Sequence, residues 1–255
     1  MAVYFISDAH FGAPYSDTDE HRVKLFSRFI DLIGEDADYL YIIGDLYDFW
    51  FEYRDGFPNP FPEVTSRLKE LGDRGAEVIF IGGNHDWWAG KTFKQATGAR
   101  IEKKDIEVTH YGKRIFIGHG DGIPKDDWAY RILRKILRNP VNIWLFSRLS
   151  AEMGMKLARL VSSRSHALGQ YRQWKFLGEY KEYAQKRIDD GFDIVILGHT
   201  HIPQEVELKG GHYFNSGNWI RDFTYVKLDE SGFYLNTFKN GDVEKFDFDK
   251  MKKPE

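Results

Sequence analysis

The chain has 255 residues, no cysteine and a formal net charge of −3. Its length allows a sizeable core without covalent staples, and any metal must be held by nitrogen and oxygen rather than thiolate. With 42% hydrophobic and 29% charged residues it is neither disordered nor, having no apolar run near ~20 residues, an integral membrane protein.

The N-terminal stretch Met1-Ala2-Val3-Tyr4-Phe5-Ile6-Ser7-Asp8 lacks a basic leader and turns polar early, so a cytoplasmic location is expected. Five short runs rich in Ile, Val, Tyr and Phe read as buried strands, and each ends in a polar cluster. Residues 2–6 lead into Ser7-Asp8-Ala9-His10, and 39–43 into Gly44-Asp45-Leu46-Tyr47-Asp48. Residues 78–81 lead into Gly82-Gly83-Asn84-His85-Asp86. Residues 114–117 lead into Gly118-His119-Gly120-Asp121, and 194–197 into Gly198-His199-Thr200-His201. Between them, Val23, Phe26, Phe29, Ile30 and Ile33 recur at helical spacing, as do Val64, Leu68 and Leu71. Strands alternating with helices predict a layered α/β fold. In such folds ligands sit at the carboxyl ends of the strands, so the five clusters are expected on one rim. Beyond residue 201 the pattern turns β-like, near 204–208, 223–228 and 233–238.

Residues 131–187 differ in composition, with 13 Lys/Arg against 3 Asp/Glu. Large apolar residues recur in the same stretch, among them Ile132, Leu133, Ile136, Trp144, Leu145 and Met153. It reads as a helical insertion, about 126–190, with Pro140 breaking one helix from the next. A basic and apolar helix suits an interface with anionic lipid. It equally suits a cap whose apolar face packs on the core. The nearby aromatics Trp128, Tyr130, Trp144, Phe146, Tyr171, Trp174 and Phe176 favour a substrate with acyl chains.

Asp8, His10, Asp45, Asn84, His119, His199 and His201 are all nitrogen- or oxygen-bearing metal-ligand types at inferred strand ends. One such cluster is an ordinary loop; five in succession point to a shared centre. Glycines beside them let the backbone turn sharply and a cation approach closely. His21, His110, His166 and His212 match no ligand position.

In order, D-x-H, G-D-x-x-D, G-N-H-D, G-H and G-H-x-H over residues 3–203 resemble the motifs of the calcineurin-like metallophosphoesterases. The resemblance implies a four-layer α/β/β/α sandwich, formed by the whole chain as one domain, with the insertion as a lid before the last metal-ligand strand. It implies two divalent ions, one held by Asp8, His10 and His201, the other by Asn84, His119 and His199, with Asp45 bridging. Manganese is favoured, with iron or zinc as alternatives, because imidazole suits them better than it suits hard ions. The implied chemistry is attack of metal-bound hydroxide on phosphorus. His85 is expected to stabilise the phosphoryl oxygen or protonate the leaving group. Asp86 is expected to fix its tautomer. Asp48 and Asp121 either orient ligands or cap turns.

A narrower resemblance rests on Gly44-Asp45-Leu46-Tyr47-Asp48-Phe49-Trp50, on His119-Gly120-Asp121 followed by Asp126-Asp127, and on the insertion. Residues 198–203 and Asn215-Ser216-Gly217-Asn218-Trp219 complete it. Together they are similar to the UDP-2,3-diacylglucosamine pyrophosphatases, peripheral enzymes of lipid A synthesis on the cytoplasmic face of the inner membrane. That similarity implies hydrolysis of a glycolipid nucleotide to 2,3-diacylglucosamine 1-phosphate and UMP. It implies contacts to substrate from Asn84 and Asp127, and by approximate spacing from Ser165 and Arg172. Many members carry Arg where this chain has His85, which leaves the phosphate clamp open. A nucleotide or nucleic-acid phosphodiesterase is the alternative, since basic helices also bind phosphates. A non-catalytic scaffold fits least, because all seven ligand positions are retained.

Overall fold

The computed structural model describes residues 1–13, 18–54, 59–239 and 241–251, with the side chains of 158–173 and 250 outside the description. The strand Ala2–Ile6 (β1) is followed by the helix Asp19–Ile33 (α1), Ala37–Ile43 (β2), Pro62–Asp73 (α2) and Glu77–Ile81 (β3). Then come Lys91–Thr97 (α3), Arg100–Glu102 (β4), Ile106–His110 (β5) and Lys113–Gly118 (β6). Three helices follow, Trp128–Leu137 (α4), Pro140–Phe146 (α5) and Ala151–Asp189 (α6), before Ile194–Leu197 (β7). The chain closes with Gln204–Leu208 (β8), Gly211–Asn215 (β9), Thr224–Asp229 (β10), Gly232–Lys239 (β11) and Asp242–Lys245 (β12).

The strands form a seven-stranded sheet, order β12-β11-β10-β1-β2-β3-β4, and a five-stranded sheet, order β5-β6-β7-β9-β8. In the first, β1 to β4 run parallel; in the second, β6, β7 and β9 do. The period of two along each strand decides which layer a side chain joins. Val3 and Phe5 of β1 join Tyr41, Ile43, Ile79 and Ile81 in a cluster that also contains Ile115, Ile117, Ile194 and Ile196 of the other sheet. Tyr4 and Ile6 join Leu40, Ile42, Val78 and Phe80 on the opposite face, with the apolar residues of α1, α2 and α3. On the outer face of the second sheet, Phe116, Val195 and Tyr213 pack with Phe176, Tyr180, Ala184 and Ile188 of α6. The order of layers is therefore helices, sheet, sheet, helix, as the family resemblance implied.

Most of the aromatic content serves this core. Phe26, Phe29, Trp219, Tyr225 and Phe238 form one contiguous set of ring contacts, with Phe29 and Trp219 centroids 4.7 Å apart. Offset and edge contacts of this kind add to the area term. The expectation that the aromatics near the insertion serve an acyl substrate is corrected for Phe176, which is buried against the second sheet. Local signals fix the helix ends. Thr18 caps α1, its hydroxyl accepting the His21 N–H at 3.3 Å. Pro140 opens α5 at its first position, where a missing N–H costs nothing.

The parallel strands β1, β2 and β3 and the parallel pair β6 and β7 bring their following loops to one rim. There the residues after each strand carry the seven ligand-type side chains.

Candidate metal centre

The centre is built on strained backbone. Of the described non-glycine residues, seven have positive φ, and five of these are Asp8, His10, Asp45, His199 and His201. A left-handed side-chain-bearing residue costs roughly 1–2 kcal/mol, so the surrounding structure must hold these loops in place. Backbone bonds between loops do so: Asp8 N–H donates to Gly44 O at 3.1 Å and His10 N–H to Asp45 O at 2.9 Å. Gly44, at φ +79°, lies under His119, where a Cβ would sit 2.6 Å from Nδ1. Only glycine fits both the conformation and the close approach.

Three groups of ligand-type side chains converge, each with its ligand atoms within 4.8 Å of one another: Asp8, His10 and His201; Asp45, His119 and His199; and His10, Asp48 and His85. The first two correspond to the expected halves of a two-metal site. His10 Nε2 and His201 Nε2 are 3.2 Å apart, and Asp8 Oδ1 faces them at 3.7 and 3.2 Å. His10 Nε2 also lies 3.6 Å from Asp45 Oδ2, and His119 Nε2 lies 3.3 Å from the same oxygen. Asp45 thus stands between the two halves. Asn84 joins the second half, its Oδ1 3.0 Å from His119 Nε2.

These side chains fit divalent cations. Asp8 is fully buried, and its Oδ1 accepts no hydrogen bond from any described residue. Atoms bound to one metal at about 2.0–2.2 Å stand roughly 3 Å apart, as the ligand nitrogens and oxygens do here. His119 Nδ1 donates to Ile43 O at 2.8 Å, which aims the Nε2 lone pair at Asp45 and Asn84. Three acceptors facing one point require a proton or a metal among them. The titration of the imidazoles reflects this. Burial opposes charge on His119, but Asp45 and Asp8 outweigh it and raise its pKa to about 10. For His10, burial is likewise outweighed by Asp48, Asp8 and Asp45, again to about 10. His199 goes the other way, to about 4, because burial and the His119 charge both oppose protonation. Burial works against the Asp45 charge, yet His119 and His85 hold its carboxyl well below the usual range.

Around the ligands lies a shell of buried polar groups. Asp8 Oδ2 accepts the His199 N–H at 2.9 Å and the Ser7 hydroxyl. Asn215 Nδ2 donates to Gly198 O at 2.7 Å, and Asn218 Nδ2 to His201 O at 2.9 Å. The motif Asn215-Ser216-Gly217-Asn218-Trp219 therefore supports the loop that carries His199 and His201. The sequence signal for this is the run of short polar residues from Asn215, the last residue of β9, to Asn218, which carries the narrower resemblance.

Two expectations change. Asp86 does not work as the orienting group of His85: its oxygens accept backbone N–H groups of Gly83 at 3.0 Å, Asp45 at 3.1 Å, Leu46 at 2.7 Å and Tyr47 at 3.4 Å. It stitches the Asp45 loop to the Asn84 loop. Burial and the neighbouring Asp45 charge raise its pKa to about 6. His85 instead places Nδ1 2.7 Å from Asp48 O and 3.6 Å from the Asp48 carboxylate, which also faces His10 Nδ1 at 3.7 Å. Asp121, for its part, holds the lid. Its Oδ2 receives Arg138 at 2.9 Å, Tyr130 at 3.1 Å and Arg134 at 3.3 Å, all from α4 or its C-terminal cap. Asp127 is the residue immediately before α4. Ser165 and Arg172 fall among the side chains outside the description.

A family model described as calcineurin-like phosphoesterase matches residues 1–203, and the chain belongs to that family. It is a metal-dependent phosphoesterase by fold and ligand set. Among curated proteins it is similar to the UDP-2,3-diacylglucosamine hydrolase of Pseudomonas fluorescens Pf-5, 29% identical over 245 residues, covering 92% of this chain and 94% of that one. Proteins of the same name from Porphyromonas gingivalis (26% identical, covering 93% and 98%) and Actinobacillus succinogenes (32% identical, covering 78% and 83%) are similar as well.

Proposed function

We propose that the protein hydrolyses UDP-2,3-diacylglucosamine to 2,3-diacylglucosamine 1-phosphate and UMP. The convergence of all seven ligand-type side chains at one rim carries the chemistry, and the names of the similar proteins supply the substrate. Divalent ions bound there, manganese foremost, with iron and zinc also suited to a carboxylate–imidazole set, supply charge neutralisation at phosphorus and a water acid enough to attack it near neutral pH. Asp8, His10 and His201 would hold one ion and Asn84, His119 and His199 the other, with the Asp45 carboxylate available to both. With Nδ1 held at Asp48 O, His85 uses Nε2 for proton traffic with the leaving oxygen. Asn84 and Asp127 contact the substrate from the rim and from the head of α4.

The lid helices supply a surface for the acyl chains and for a membrane. Trp128, Ile132, Ile136, Val141, Trp144 and Leu145 are each at least half exposed. Arg131, Lys135 and Arg148 lie beside them in sequence. Apolar side chains flanked by cations fit an anionic bilayer surface, and no described helix is long and apolar enough to cross one. The enzyme works on this reading as a peripheral protein on the cytoplasmic face of the inner membrane. Incubation with UDP-2,3-diacylglucosamine in mixed micelles, read by mass spectrometry, tests it. Release of UMP and the diacylated sugar 1-phosphate is expected; an intact substrate, with a small phosphodiester still cleaved, points to a soluble phosphodiesterase instead.

A further inference from the structure

A cleft of about 560 Å³ opens beside the metal centre. Its walls are the end of β3, the turn between β4 and β5, the loop after β6, and the lid residues Arg134 and Arg138. His119, a ligand of the centre, is one of its lining residues. We propose that this cleft is the subsite for the nucleoside monophosphate part of the substrate, a proposal that rests on the function given above.

Charge comes first. Lys103, Lys104, Arg134 and Arg138 line the cleft, against Asp105 and Asp121. Asp121 is already engaged by both arginines and Tyr130. Neither lysine has a carboxylate partner among the described residues. Lys103 is held in place by the carbonyl oxygens of Trp87 and Ala89 and sits 5.0 Å from the centroid of the Trp87 ring. Burial lowers its pKa to about 8. A fixed cation stacked on a ring and lacking an acidic partner favours an anionic guest.

Size and shape agree. Ligand clefts are typically ~300–1,000 Å³, which accommodates a nucleotide. Ile123, Leu197 and Tyr183 add an apolar and aromatic side to the cationic one, as a molecule with a phosphate at one end and a flat ring at the other needs. Acyl chains are poorly matched to four cations, and the exposed apolar face of α4 and α5 already provides for them. The two ends of the substrate therefore part to different surfaces, with the reacting phosphate at the metals between.

The test uses the metal-loaded protein and UMP. Lys104→Glu adds a negative charge to the rim, and Lys103→Met removes the cation held over Trp87; circular dichroism checks that both fold. Calorimetry is expected to show UMP binding weakened at least tenfold in each, with inorganic phosphate binding changed less than threefold. Irradiation with 5-iodouridine monophosphate is expected to label the peptide containing Tyr183. Unchanged UMP affinity in the folded variants, equal weakening of phosphate, or labelling away from the cleft overturns the subsite. Each of these outcomes leaves glycolipid hydrolysis to be judged separately: turnover by the wild type with UMP affinity unaffected by either substitution rejects the subsite alone, and absence of turnover rejects the function on which it rests.

Discussion

His85 Nδ1 lies 2.7 Å from the backbone oxygen of Asp48, and the carboxylate of the same aspartate faces both His85 and His10. One residue thus orients a ligand imidazole and the imidazole nearest the expected leaving group. Asp48→Asn is expected to lower kcat by ~10–100-fold, the usual cost of losing a group that orients a ligand, with a shifted acid limb in the pH profile. Steady-state kinetics at several pH values check it. A kcat within twofold of wild type, with the same profile, means Asp48 is only a turn residue.

Asp86 has the opposite signature. Its loss leaves four backbone N–H groups without their acceptor in a fully buried place. Each unmet buried donor costs ~1–3 kcal/mol. Asp86→Ala is therefore expected to destabilise by several kcal/mol, seen as a fall in Tm of about 10 °C on the scale of ~2–4 °C per kcal/mol for a chain of this size. Thermal denaturation of the metal-free variant gives the answer, and an unchanged Tm contradicts the stitching role.

Metal uptake should expel protons. In the metal-free protein His10 and His119 both have pKa values raised to about 10, so near pH 7 they hold protons that a cation must displace. Affinity consequently rises with pH between 6 and 9. Calorimetry with Mn2+ in buffers of different ionisation heats reads the number released. Between one and two protons per chain is expected; none at all contradicts the assigned geometry.

The exposed face of the lid is expected to govern partition onto membranes. Fully burying a large apolar side chain contributes about 1.5–3 kcal/mol. Ile136→Asp with Trp144→Ser should weaken cosedimentation with anionic vesicles at least tenfold and leave cleavage of a small soluble phosphodiester within twofold. Equal vesicle binding by the variant contradicts membrane docking through α4 and α5.

The central strands and the rim were legible because their residues are determined locally. Residues 194–197 and 204–208 coincide with β7, an unbroken apolar run, and β8, where polar and apolar residues alternate after a proline. β4, β5, β9 and β12 were not anticipated. β4 is only three residues long, β5 and β12 are partly or fully exposed, and β9 lies between a glycine turn and a polar motif, so their pairing is decided by neighbours remote in sequence. The ligand set was legible because strand ends are where ligand residues gather. The partners of those ligands were not, because Asp86 serves backbone donors forty residues away and Asp121 serves the lid. Adjacency in sequence suggested that Asp86 serves His85, whereas the fold gave that task to Asp48.

The metal content of the purified protein, read by mass spectrometry after saturation with Mn2+ and removal of free ions, bears most directly on the whole reading. Two ions per chain are expected, falling to one or fewer in Asp45→Ala while the fold persists. A wild-type content near zero, or two ions retained without Asp45, would show that the seven side chains do not form a two-metal centre.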